Sequence, residues 1–101
     1  KIGTKKKKNM AKAIENHKGF LVLEISRQEM IDKCGSLGIC DYCNGPASKG
    51  YYVAVLNRWY CPACYKHFIN TATRYEEDIP IEKAHYKHYC KLFVVKLKVE
   101  S

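Results

Sequence analysis

The chain has 101 residues, of which 47% are hydrophobic and 28% charged, and its formal net charge is +8 at pH 7. A chain of this length forms one small domain with a modest core, so a staple such as a metal ion or disulfides is expected. No segment approaches the roughly 18 consecutive apolar residues of a membrane-spanning helix, which excludes a membrane protein and favours an intracellular, cytoplasmic one.

Most of the positive charge lies at the N-terminus. Residues 1–18 carry a net charge of +6, whereas residues 19–101 carry only +2. We therefore predict a flexible basic tail over residues 1–18, followed by a single domain over residues 19–101. The tail has two interpretations. It is a phosphate-binding arm, or it is leader or added sequence that precedes a native start at Met10. Its candidate phosphate contacts are Lys5, Lys6, Lys7 and Lys8.

The first predicted elements are a strand and a helix. The segment FLVLEI, residues 20–25, is rich in residues that favour strands and predicts a buried strand. Ser26 and Glu29 have the spacing of a capping box, so we expect a helix from Ser26 to about Cys34, with Gly35 as its C-terminal stop. Cys34 lies on the apolar face of this helix, which favours a core position over a metal-binding one.

The middle of the chain predicts a hairpin followed by a helix. Residues 51–60, YYVAVLNRWY, combine strand-forming residues with a turn at Asn57-Arg58. The next segment, CPACYKHFINTA, is expected to be helical, because Cys61 suits the N-cap and Pro62 suits the first helical position.

A last helix is predicted from about Pro80 to Phe93. Asp78 is expected to cap its N-terminus, and Glu82 is expected to lie near the positive end of the helix dipole. Beyond it, residues 94–101 (VVKLKVES) alternate between apolar and charged, which indicates a short edge strand guarded by lysines or a frayed end. Together these elements predict one α+β domain.

Two Cys-x-x-Cys pairs separated by seventeen residues are the strongest chemical signal in the chain. Structural zinc is held by four such ligands in a tetrahedron, and two pairs at this spacing are far more specific than either alone. The predicted hairpin can bring the first cysteine pair, on a turn, against the second pair, at the start of a helix. The free N–H groups at a helix start favour thiolates. The sequence therefore predicts one structural Zn²⁺ ion in a zinc-binding domain over residues 19–101. The predicted ligands are Cys40, Cys43, Cys61 and Cys64.

The chain is predicted to have a tight turn that carries Cys40 and Cys43, then a hairpin, then CPAC at a helix start. This order of elements resembles a treble-clef zinc finger. Over residues 39–69, the C-x2-C-x17-C-x2-C spacing is similar to GATA-type fingers, and RWYCPACYKHF is similar to the end of a LIM module. The resemblance implies a small zinc-stabilised, treble-clef-like α+β domain with an added N-terminal strand and helix and a C-terminal helix. It implies no specific family, because the acidic RYEEDIP replaces the basic segment of GATA fingers and the second ligand set of LIM modules is absent.

The residues around the cysteine pairs do not match known catalytic patterns. Zinc deaminases combine H-x-E with P-C-x-x-C, whereas this chain has no H-x-E and its proline lies inside the second pair. A redox-active dithiol would be a single Cys-x-x-Cys pair in a thioredoxin-like fold, whereas this chain has two pairs. A zinc ion bound by four thiolates has no coordination position open for a catalytic water. We therefore predict that the protein is not an enzyme and has no small-molecule substrate.

A second metal site is an open alternative near the C-terminus. His85 and His88 share a face of the predicted last helix, but Cys90 lies on the far side, so partners such as Cys34 would have to come from elsewhere. Solvated or packed histidines are the default interpretation.

The function that remains is binding to another macromolecule. The zinc-binding domain is close to neutral once four thiolates and one Zn²⁺ are counted, which favours a docking or regulatory module for a protein partner. Nucleic-acid binding through the basic tail and a basic-aromatic surface is the alternative. The aromatic residues near the zinc site either fill a thin core or form part of such a surface. The candidate surface residues are Arg58, Trp59, Tyr65 and Lys66.

Overall fold

A four-stranded antiparallel sheet organises the computed structural model, which describes residues 11–93. Each strand pairs with the next one along the chain. The strands are β1 (Lys12–Ile14), β2 (Val22–Ser26), β3 (Lys49–Val53) and β4 (Arg58–Tyr60). The helices are α1 (Arg27–Cys34), α2 (Pro62–Thr71) and α3 (Ile79–Leu92), with a 3₁₀ turn at Glu76–Asp78. This arrangement confirms the predicted α+β class, while the tail lysines 5–8 and the predicted edge strand in 94–101 lie outside the described residues.

Helices cover both faces of the sheet, because alternate residues of each strand point to opposite sides. On one face, Leu23 and Tyr52 lie opposite each other and pack in one cluster with Cys90 of α3. On the other face, Val22 packs with Ile69 of α2. The sheet therefore divides the core in two, with α1 and α3 on one side and α2 on the other.

The start of α1 confirms the predicted capping box. Ser26 Oγ accepts a hydrogen bond from the Glu29 backbone N–H at 3.1 Å, and Glu29 Oε1 lies 3.4 Å from the Ser26 nitrogen. Gly35 ends the helix in the left-handed conformation, with φ of 67°. Glu29 also accepts a hydrogen bond from the Ala11 N–H at 3.1 Å, so the cap connects α1 to the beginning of the described chain.

The predicted boundary of the basic tail at residue 18 is wrong. β1 lies inside that segment and pairs with β2, with Ala13 opposite Leu23 and Ile14 opposite Val22. Ala11 is buried in the same core cluster as Leu23. The lysine-rich composition concealed this three-residue strand, which is stabilised by its pairing with β2 rather than by its own composition.

The hairpin between the cysteine pairs is confirmed, but its turn is shifted. The turn covers residues 54–57, and Arg58 is the first residue of β4 rather than a turn residue. Asn57 supplies the chain reversal with a left-handed φ of 59°, and its Oδ1 accepts a hydrogen bond from the Tyr52 hydroxyl at 2.5 Å.

The helix α3 begins near the predicted position, but its capping differs. Asp78 precedes the helix without a side-chain capping bond, because the 3₁₀ turn already holds its backbone in a helical conformation. Glu82 lies in the first turn as predicted, yet it is fully buried. Its carboxylate accepts a hydrogen bond from the Leu21 N–H at 2.7 Å and pairs with Arg74 Nη2 at 2.7 Å. Glu82 therefore joins α3 to both the β1–β2 and the α2–α3 connections.

Candidate metal centre

The four cysteines predicted as ligands come together at one place. The sulfur atoms of Cys40, Cys43, Cys61 and Cys64 all lie within 4.8 Å of one another. A tetrahedral zinc site with Zn–S bonds of about 2.3 Å places its sulfurs about 3.8 Å apart. The Sγ atoms of Cys43 and Cys61 are separated by 3.9 Å, which matches this spacing. Within residues 11–93, this is the one group of three or more His, Cys, Asp or Glu side chains placed to hold a metal ion.

Cys40 and Cys43 lie on a tight turn, here called the knuckle (residues 40–45). The Asn44 N–H donates to the Cys40 carbonyl and the Cys40 N–H donates to the Gly45 carbonyl, both at 3.0 Å. Asn44 adopts a left-handed φ of 60°, a conformation that asparagine tolerates better than most residues. The Tyr42 N–H donates to Cys40 Sγ at 3.3 Å, so the knuckle presents a backbone donor to one of its own sulfurs.

Cys61 and Cys64 lie at the start of α2. Cys61 is the N-cap residue in an extended conformation, and Pro62 occupies the first helical position, as predicted. The Tyr65 N–H donates to the Cys61 carbonyl at 2.9 Å, which closes the first turn and holds Cys64 within it. The positive end of the helix dipole and the free N–H groups of the first turn favour anionic groups, so this end of α2 suits thiolates that share their charge with a bound cation.

Asp41 holds the knuckle against β4, a role that is not predicted from the sequence. The Asp41 N–H donates to the Trp59 carbonyl, and the Trp59 N–H donates to Asp41 Oδ2, both at 2.9 Å. Trp59 precedes Cys61 by two residues, so these bonds hold the two ligand pairs against each other. The signal was a short carboxylate on a turn between two ligand cysteines, a position from which Asp commonly binds backbone N–H groups.

The electrostatics of the cluster favour a bound cation. Burial works to raise the pKa of the Cys40 thiol, but hydrogen bonds from the surrounding backbone outweigh it and lower the pKa to about 7. Burial and contacts with the other three cysteines raise the pKa of Cys64 to about 12. The four adjacent sulfurs therefore resist carrying four negative charges alone, and a divalent cation would remove that resistance by binding thiolates directly.

The donor set fits zinc. Four thiolates close together are the ligand combination of structural zinc sites, and they would fill every position of a tetrahedral ion. Hard cations such as Ca²⁺ and Mg²⁺ prefer oxygen ligands, which this group does not supply. Cys40 is fully buried whereas Cys43 is exposed, so the cluster lies at the surface of the domain with one side covered by protein.

The predicted basic-aromatic surface of Arg58, Trp59, Tyr65 and Lys66 is wrong as a single patch. Trp59 is 1% exposed, and its indole N–H donates to the Ile25 carbonyl at 3.1 Å inside the core. Neighbouring residues of a strand point to opposite faces, so Trp59 is directed away from Arg58. Tyr65 is half-buried and stacked on a neighbouring tyrosine, and only Arg58 and Lys66 of the four are exposed.

The alternative second metal site is not assembled within the described part of the chain. His85 Nδ1 lies 2.7 Å from the Ala54 carbonyl oxygen, and His88 is exposed. Cys90 of α3 is buried in the core, with Cys34 packed against the same cluster. Burial raises the pKa of both thiols, as expected for core cysteines rather than thiolate ligands.

No model of a known protein family, no curated protein and no solved structure matches this chain significantly. Among the helices of residues 11–93, none combines the length and the apolarity needed to cross a bilayer.

Proposed function

We propose that the chain is a non-catalytic zinc-binding module of the treble-clef type that docks onto a protein partner. The observation that carries the zinc assignment is the approach of four thiols to within 4.8 Å, two from a turn and two from a helix start. The succession of knuckle, β3–β4 hairpin and α2 supports the treble-clef type, because the sequence resemblance implies the same order of elements.

The zinc ion would act as a cross-link. Its ligands would be Cys40, Cys43, Cys61 and Cys64, and four protein thiolates leave no position open for water or substrate. The ion would join the knuckle, which precedes β3, to the helix that follows β4, and so close the hairpin at its base. In a domain with a core this small, the free energy of metal binding contributes directly to folding.

The charge of the domain supports a protein partner. Residues 11–93 contain eleven Lys or Arg and nine Asp or Glu, a net charge of +2, and a bound zinc–thiolate centre would lower this to about zero. Two large apolar side chains on either side of Cys40 in the sequence are exposed, Leu37 at 78% and Tyr42 at 66%. An exposed tyrosine such as Tyr42 is among the residue types that most often anchor protein interfaces.

A nucleic acid is the second candidate partner. Lys83, Lys87 and Lys91 are exposed at four-residue spacing on α3, so they form a basic row along one side of the helix. The acidic turn Glu76–Asp78 lies at the start of the same helix and opposes phosphate binding at that end. The basic row is the observation that favours this candidate.

Metal analysis of the full chain tests the zinc assignment. Protein purified without added zinc should contain one zinc ion per chain, and chelation should lower its melting temperature because the cross-link is lost. Metal-free protein whose melting temperature does not respond to a chelator would contradict the assignment.

Salt titration of binding to a generic DNA duplex separates the two partner classes. A protein-docking module should bind the duplex weakly and lose that binding when residues 1–9 are removed. A steep dependence on salt that survives this truncation and is reduced by Lys87→Glu would replace the protein partner with a nucleic acid.

A further inference from the structure

A small cleft lies beside the metal centre. It has a volume of about 200 Å³ and is here called the aromatic cleft. Cys64, one of the candidate zinc ligands, forms part of its wall, so the cleft and the metal centre share a boundary. The residues that line it are Tyr42, Tyr60, Cys64, His67, Phe68 and Thr71.

Three aromatic rings surround the space. The ring centroids of Tyr42 and Tyr60 are 5.9 Å apart with an interplanar angle of 60°, and those of Tyr60 and Phe68 are 6.3 Å apart at 74°. Tyr60 is buried and provides a fixed floor, whereas Tyr42 is 66% exposed and forms an accessible rim. Tyr42, Tyr60 and Phe68 all line the cleft, so a cation placed in it would lie against aromatic rings, which attract cations through their π-electrons.

The charge around the cleft also favours a cation. No Lys, Arg, Asp or Glu belongs to the described residues that line it. The formal charge in its wall is that of the zinc–thiolate centre, about −2 when four thiolates bind one Zn²⁺. The aromatic rings and the metal centre would attract a cation in the cleft, against repulsion from Arg58, whose charge acts on Tyr60 in the cleft wall.

The described lining offers neutral hydroxyl and imidazole acceptors but no carboxylate, which favours a methylated ammonium over an unmethylated one. A plain lysine ammonium is strongly hydrated and needs hydrogen-bond acceptors when it leaves water. A methylated ammonium has few or no N–H groups to satisfy, so contact with aromatic rings replaces its weak hydration at little cost.

We propose that the aromatic cleft binds the methylated ammonium group of a lysine side chain on the partner protein. This inference rests on the proposed function, because the metal centre supplies part of the charge and the docking partner supplies the lysine. His67 and Thr71, which are exposed on α2 at the edge of the cleft, are placed to contact the peptide that carries this side chain.

The test uses the zinc-loaded full chain and N-acetyl-trimethyllysine amide as the probe, with binding followed by two-dimensional NMR. We expect resonance shifts at the cleft residues and an affinity about tenfold higher than for the uncharged tert-butyl isostere, which has the same shape. Equal affinity for the isostere, a preference for the arginine or unmethylated lysine compound, or no shift at the cleft would overturn the proposal.

Variants connect the binding to the rings. Tyr42→Ala should weaken trimethyllysine binding at least fivefold, whereas Tyr42→Phe, which keeps the ring, should retain it. Tyr75→Ala is the matched control, because Tyr75 is 55% exposed and does not line the cleft. Zinc content is measured on the same samples: a zinc-loaded protein that fails to bind overturns this inference alone, whereas a protein without zinc overturns the proposed function.

Discussion

The backbone of Gly50 lies directly against the indole ring of Trp59. A Cβ atom at Gly50 would be 2.5 Å from Trp59 Cε2 and 2.6 Å from Cζ2. The same indole donates its N–H to the Ile25 carbonyl, so it contacts β2 and β3 while belonging to β4. Because Trp59 also binds Asp41 and precedes Cys61, the packing of this ring positions both cysteine pairs.

Gly50→Ala should destabilise the domain by about 1–3 kcal/mol or more, because the added methyl group cannot fit without moving the indole or the strand. Urea denaturation of the zinc-loaded protein measures the change in the free energy of unfolding. Ser48→Ala, at an exposed position close by, is the control and should stay within about 0.5 kcal/mol of the original protein. Equal stability of both variants would contradict the close approach of Gly50 and Trp59.

Asp41→Ala should weaken zinc binding about tenfold, because it removes the carboxylate that binds the Trp59 N–H and holds the knuckle to β4. Competition with a chelating dye measures the affinity. Asp41→Asn retains an oxygen acceptor without the charge, so its loss should be smaller. An affinity unchanged in Asp41→Ala would show that the cysteines alone determine the geometry of the site.

Glu82→Gln should lower the free energy of unfolding by about 2–3 kcal/mol. The substitution leaves Arg74 without its charged partner and disturbs the bond from the Leu21 N–H in a fully buried position. Thermal and urea denaturation measure the effect, and Glu77→Gln, an exposed acid on the preceding turn, is the matched control. If both glutamine variants were equally stable, Glu82 would not join α3 to the rest of the domain.

Zinc affinity should fall as the pH decreases, because the metal binds thiolates and must displace their protons. Cys40, with a pKa of about 7, is mostly ionised at pH 8 and mostly protonated at pH 6, whereas Cys64, with a pKa of about 12, is protonated at both. The number of protons released per zinc should therefore rise by about one between pH 8 and pH 6. Calorimetry in buffers of different ionisation enthalpy counts these protons, and a constant count would contradict the lowered pKa of Cys40.

The features that could be predicted from the sequence depend on residues close together in the chain. The capping box needs only Ser26 and Glu29, and the start of α2 needs only Cys61 and Pro62. The cysteine cluster is a partial exception, because its two cysteine pairs are seventeen residues apart. The repeated Cys-x-x-Cys spacing predicts this cluster, because metal coordination restricts both the spacing and the type of the ligand residues.

The features that could not be predicted depend on contacts between distant residues. The sequence alone predicts Trp59 at the surface, because its partners Gly50 and Ile25 are not adjacent to it in the chain. The bond between Glu82 and Leu21 likewise joins residues far apart in sequence. β1 was hidden by the lysine-rich segment around it, since a three-residue strand is defined by its pairing with β2 rather than by its composition.

Cobalt substitution tests the central claim, that Cys40, Cys43, Cys61 and Cys64 form one tetrahedral metal site, most directly. Titration of the metal-free full chain with Co²⁺ should produce the visible absorption of a tetrahedral thiolate complex, which saturates at one equivalent and disappears when Zn²⁺ is added. Cys43→Ser should reduce this absorption strongly, whereas Cys34→Ser, at a thiol packed against the core, should leave it unchanged. No tetrahedral spectrum, or a spectrum that Cys43→Ser leaves intact, would contradict the account.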